Sequence, residues 1–162
     1  MTDHISASSP TPAPMFDLAE WERRREQEEA LVAQALPANK QALFDALAGA
    51  GITSVLLHFD GYGDSGQVED IDVSSAGDAV ELPTDEIALF LTPWGASENE
   101  RVVMPLPEAL ERLVYDLLSQ SHCGWENNDG AYGDFIFTVA DRSITLDYNE
   151  RFTATELYSH SW

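Results

Sequence analysis

The sequence predicts an α+β fold, an antiparallel sheet of about four to five strands packed against helices in the order α-α-β-β-(β)-α-β-β. Three patterns predict it. Val55, Leu57 and Phe59, and Ile71 and Val73, recur at every second residue on either side of the glycine-rich DGYGDSG, the signature of a β-hairpin. Leu110, Leu113, Val114, Leu117 and Leu118 recur at helical spacing. Residues 134–139 and 143–148 then form a second hairpin around Ala140-Asp141-Arg142. Hairpins on either side of a long helix give antiparallel layers, not a parallel sheet.

The elements follow in order. Residues 1–14 are dominated by Ser, Thr, Ala and Pro, a composition that cannot build a core, and they read as a flexible tail before a single domain at 15–162. Asp17 with Glu20 makes a capping-box pattern that starts a helix at 17–35. Its centre, RRREQEE, carries no apolar residue, so this helix should stand partly in solvent. Pro37 then suits the first turn of a second helix, in which Leu43, Phe44 and Leu47 face inward until Gly49 and Gly51 stop it. In the hairpin that follows, Ile71 and Val73 share the core face and Asp70 and Asp72 lie on the other. Residues 74–104 read as an irregular insertion with one strand at 87–91, because Pro83, Pro93 and Gly95 punctuate them. Pro107 opens the long helix and Gly124 ends it.

Composition narrows the function. The chain has 162 residues, 29 acidic against 8 basic, and a formal net charge of -21. Sixteen aromatic residues and the periodic apolar segments place that charge on a folded surface. Such a surface repels nucleic acid and lipid headgroups and attracts basic proteins over roughly 8 Å at physiological salt. One cysteine, Cys123, excludes an internal disulfide and fits a reducing compartment. No apolar run reaches the roughly 20 residues of a membrane span, and MTDHISASSPTPAPM has neither part of a secretory signal. The cytoplasm is the expected location.

HCGWENNDGAYGDF (122–135) with LDYNERF (146–152) resembles an uncharacterised family of bacterial proteins, often encoded near mobile genetic elements, that share a helix, a GWENNDGA-like loop and two strands ending in a YNERF-like string. The resemblance implies no activity. Read directly, Trp125 is an apolar anchor and Glu126-Asn127-Asn128-Asp129-Gly130 a self-capped connection. The alternative is a polar site of Glu126, Asp129, Asp134 and Glu150, whose carboxylates could hold a hard cation or serve an enzyme. Their spacing fits no established calcium loop. DGYGDSGQVED departs from the EF-hand at Tyr62, Ser65 and Ile71, and His58, His122, His160 and Cys123 lack zinc spacing. No metal, cofactor or catalytic residue is therefore assigned.

The sixty residues from Gln41 to Glu100 carry twelve carboxylates and no lysine or arginine. Asp60, Asp64, Glu69, Asp70, Asp72, Asp78, Glu81, Asp85 and Glu86 are the candidate recognition residues. B-DNA carries one charge per about 1.7 Å of axis, so twenty-one charges match roughly 36 Å of duplex, close to the width of a domain this size. The expected function is a non-enzymatic inhibitor that occupies a basic nucleic-acid-binding cleft, as DNA mimics of the anti-CRISPR or antirestriction type do. A carboxylate- or metal-dependent enzyme and a protein-protein adaptor using the charged helix are the alternatives. Mimicry gains if the nine carboxylates share one ridge and loses if they scatter. The oligomeric state is left open.

Overall fold

A computed structural model describes residues 16–63, 65–127 and 129–162. The expected 1–14 tail and Asp64 lie outside them. Helix α1 (Leu18–Gly49) is followed by strands β1 (Ser54–Tyr62), β2 (Ser65–Ser75), β3 (Asp78–Ala79), β4 (Glu86–Leu91) and β5 (Glu100–Pro105), helix α2 (Leu106–Ser121), and strands β6 (Ala131–Thr138) and β7 (Ser143–Glu150). The α+β class holds. Five strands form one antiparallel sheet in the order β3-β2-β1-β6-β7, and β4 and β5 form a separate ribbon. Among the described residues, no helix is long and apolar enough to cross a membrane.

The two helices expected around Pro37 are one. A proline inside a helix removes an N–H and crowds the carbonyl four residues back, so a break was the local expectation. Tertiary ties hold both halves in line. Asn39, the one buried polar residue among the described residues, donates from Nδ2 to the Phe90 carbonyl at 2.9 Å and accepts the Phe90 N–H at 2.7 Å, standing in for a neighbouring strand on β4. On the other side of Pro37, Asn99 donates to the Leu31 carbonyl at 2.9 Å. Burial along α1 starts at Ala35, and the turns before it are exposed or, at Glu28, Leu31 and Val32, half-exposed, as the charged centre predicts. Asp17 caps the helix by accepting the N–H groups of Ala19 and Glu20, whereas Glu20 pairs with Arg24 instead of reaching back.

The insertion also holds more order than expected. The strand at 87–91 is present as β4, and 100–105 pairs with it residue for residue, burying Leu89 and Met104. These side chains join Leu43, Phe44 and Leu47 of α1, the inner stripe of α2 and the inner face of the sheet in one core. Pairing across the sheet sets which side chains face that core. Val55, Leu57 and Phe59 lie opposite Phe137, Phe135 and Gly133, so Leu56, His58 and Asp60 share the other face with Ile136, Asp134 and Tyr132. One face of the sheet is thus covered by helices, and the outward side chains remain exposed or half-exposed.

Candidate functional site: the outward sheet face

The outward face concentrates carboxylates. Across it Asp70, His58, Asp134 and Asp147 fall in register on β2, β1, β6 and β7. Neighbouring strands are about 4.8 Å apart and same-face residues on one strand about 6.7 Å apart, so Asp60 and Asp72 flank this row closely. Glu69 adds a sixth. It has no partner on β1 because the register slips between His58 and Phe59, leaving Glu69 as the extra residue of a β-bulge.

Arg151 and His58 answer these six carboxylates. Arg151, just past β7, forks onto both oxygens of Asp60 at 2.7 and 3.0 Å and lies 4.6 Å from the Tyr132 ring centre. The hydrogen bond from Arg151 holds the Asp60 carboxyl below its ordinary value. His58 sits at the centre of the row with Nδ1 2.9 Å from Oδ1 of Asp134. That hydrogen bond, and then the charges of Asp134, Glu69 and Asp60, raise its pKa above the ordinary 6.5 against an opposing effect of burial. The signs are opposite for stability. The Asp60 contribution is present above its unfolded value and is lost as pH falls through its folded one, whereas the His58 contribution is complete below about 6.5 and is lost as pH rises through its raised value. Asp134→Asn should lower the His58 midpoint in an NMR pH titration, because the hydrogen bond to that carboxylate is the largest effect that raises it. An unchanged midpoint would show that the pair has no such influence.

His58, Asp60 and Glu69 also bring ligand atoms within 4.8 Å of one another. Both oxygens of Asp60 are already engaged by Arg151, however, so a cation there would compete with a bidentate ion pair.

The candidate carboxylates separate into groups. Asp60, Glu69, Asp70 and Asp72 share the outward face. Asp78 lies beyond them on the short edge strand, opposite Ser75. Glu81 and Asp85 lie in the segment between β3 and β4, and Glu86 opens β4 opposite Pro105 in the ribbon. The eight of the nine that lie among the described residues do not form one ridge. The alternative polar site divides as well. Asp129 and Glu150 line a cavity of about 240 Å³ with His122, Trp125 and Tyr148, and Glu126 lies near enough to help raise the Tyr148 hydroxyl, which burial raises most. Asp134 is instead on the outward face with His58. Closeness in sequence misled here, since β6 begins at Ala131 and alternation turns Asp134 away from the loop. The loop is tied to itself, Asn127 N–H donating to the Gly124 carbonyl and Gly130 N–H to that of Asn127, and Thr153 donating to Asp129.

Asp147, His58 and Arg151 are the site residues that sequence reasoning missed. Asp147 was legible, since it alternates with Leu146 and Tyr148. His58 and Arg151 act through partners 76 and 91 residues away.

With this geometry in hand, comparison with known proteins gives one relationship. Residues 35–162 match the model of a family of unknown function, DUF6878. The chain belongs to DUF6878. No curated protein and no solved structure matches it. The stretch common to DUF6878 starts where α1 becomes buried and takes in the whole sheet, so the outward face falls inside it and the exposed first turns of α1 do not.

Proposed function

We propose that this member of DUF6878 is a non-enzymatic binding protein that docks its outward sheet face on the basic cleft of a nucleic-acid-handling protein and thereby inhibits it. The observation that carries this reading is the gathering of Asp60, Glu69, Asp70, Asp72, Asp134 and Asp147 on one uncovered face. A hydrogen-bonded sheet holds its side chains at fixed spacing, so the charge is preorganised and costs little ordering on binding. Exposed Leu56, Tyr62 and Tyr132 on the same face supply the apolar and aromatic contact that charges alone lack. The sheet offers no groove to be read, so recognition would follow charge and shape. Like charge steers the face away from nucleic acid itself.

The test is capture from cell lysate by the immobilised chain at low and at high salt, with duplex DNA added as competitor. Nucleic-acid-binding proteins should be retained at low salt, released at high salt and displaced by DNA. Retention that is indifferent to both would overturn the proposal.

A further inference from the structure

The two edges of the five-stranded sheet are treated differently. The β2 edge carries a bulge at Glu69, charges at Asp70 and Asp72, and β3 across its end, all of which discourage a further strand. The β7 edge carries Asp147 and Glu150 but has neither a bulge nor a further strand across its end. It runs eight residues, SITLDYNE, without proline, lysine or bulge, in unbroken register with β6. Its open backbone groups can be assigned. Arg151 N–H donates to the Gly130 carbonyl, and antiparallel ladders alternate, so Ser143, Thr145, Asp147 and Asn149 turn their backbone groups to β6. Ile144, Leu146, Tyr148 and Glu150 turn theirs outward, and among the described residues no hydrogen bond reaches those groups. Beneath this edge a groove of about 390 Å³ is lined by Leu36, Leu117, Phe135, Ile144 and Leu146.

We propose that this edge pairs with the same edge of a second copy, giving a two-fold dimer with a continuous ten-stranded sheet. The sequence of β7 selects both the occupant and the register. With Leu146 on the two-fold axis, Leu146 meets Leu146 of the second copy, Ile144 meets Tyr148, Thr145 meets Asp147, and Ser143 meets Asn149. At each end Arg142, which pairs with Asp45 in the single chain, meets the opposite charge of Glu150. Every pair matches in polarity. Shifting the axis to Asp147 sets two aspartates face to face and places Glu150 against Ile144. The pairing is thus self-complementary, as a two-fold interface requires. It shares Asp147 with the docking face proposed above but has the opposite response to salt. Two copies of net charge -21 repel, so added salt tightens the dimer, whereas it loosens a basic partner.

Sedimentation equilibrium of the full chain at low and moderate salt gives the mass, which should approach that of a dimer as salt and concentration rise. The register is read separately, in a Cys123→Ser background. Thr145→Cys mixed with Asp147→Cys should form a mixed disulfide-linked dimer under oxidised glutathione, and neither variant alone should do so. Directly opposed residues of this kind bring Cα atoms to about 4.5 Å, within disulfide reach, while Thr145 faces its own counterpart only diagonally, at more than about 7 Å. Both positions are exposed, and Ser143→Cys mixed with Asn149→Cys is a second pair should either variant fold poorly. A chain that stays monomeric at every concentration and salt overturns the proposal. So does a dimer that no cysteine mixture links beyond its single variants.

Discussion

Trp125→Ala is expected to cost about 3–5 kcal/mol of stability, read as a fall in the midpoint of urea unfolding followed by far-UV circular dichroism. The indole is 8% exposed and meets Phe59 edge-on, with ring centres 5.4 Å apart. Its place is made by two glycines of the β1–β2 hairpin. A Cβ at Gly61 would lie 2.6 Å from the indole, and one at Gly66 would overlap it further. The ring therefore rests on hairpin backbone, which has no side chain that could swing in to fill the space it leaves. Gly66→Ala should destabilise by a comparable mechanism from the opposite side, since a rigid ring held by Phe59 has little room to retreat. A loss below about 1 kcal/mol for Trp125→Ala would mean that the indole is not part of the core. The result bears on function because the hairpin so anchored carries Asp60 and Glu69. The GWENNDG loop is then the fastening beneath the acidic face, and its distinctive sequence reflects the fit of one ring against two glycines.

What could be read from the sequence was local. The β1–β2 hairpin, the apolar stripe of α2 and the β6–β7 hairpin each announce themselves within a dozen residues, and each is where alternation or helical spacing places it. The fusion of the first two helices was illegible, because Pro37 is a sound local reason for a break. What overrules it is Asn39 bonding a strand 51 residues away. Strand β5 was hidden for a related reason: ERVVMP is short and becomes a strand by pairing with β4. The site was half legible. Alternation alone puts Asp70 and Asp72 on the outward side, but only the pairing of β1 with β6 carries Asp134 out of the loop and sets it beside His58.

Replacing Glu69, Asp70 and Asp72 together by Gln, Asn and Asn is expected to separate binding from folding. All three are exposed, and none is in an ion pair or hydrogen bond among the described residues. Asp70 stands opposite His58 in the same row as Asp134 and Asp147, and Asp72 is the next outward residue on its strand, so each adds to the mutual repulsion of the face. Neutralising them should leave unfolding unchanged or raise stability by about 0.5–1 kcal/mol, the scale at which like charges on neighbouring strands oppose one another. The His58 midpoint should fall as well, since Glu69 is one of the charges that raise it. Binding to a basic partner should weaken by about tenfold or more, mainly through slower association and with a shallower dependence on salt, because rim charges act chiefly on encounter. The two measurements together carry the argument. A surface that serves only solubility has no partner to lose, whereas a surface held for recognition keeps its repulsion at some cost to stability and gives up binding when that repulsion is relieved. Undiminished capture of nucleic-acid-binding proteins by the neutralised variant would place the docking site elsewhere on the molecule.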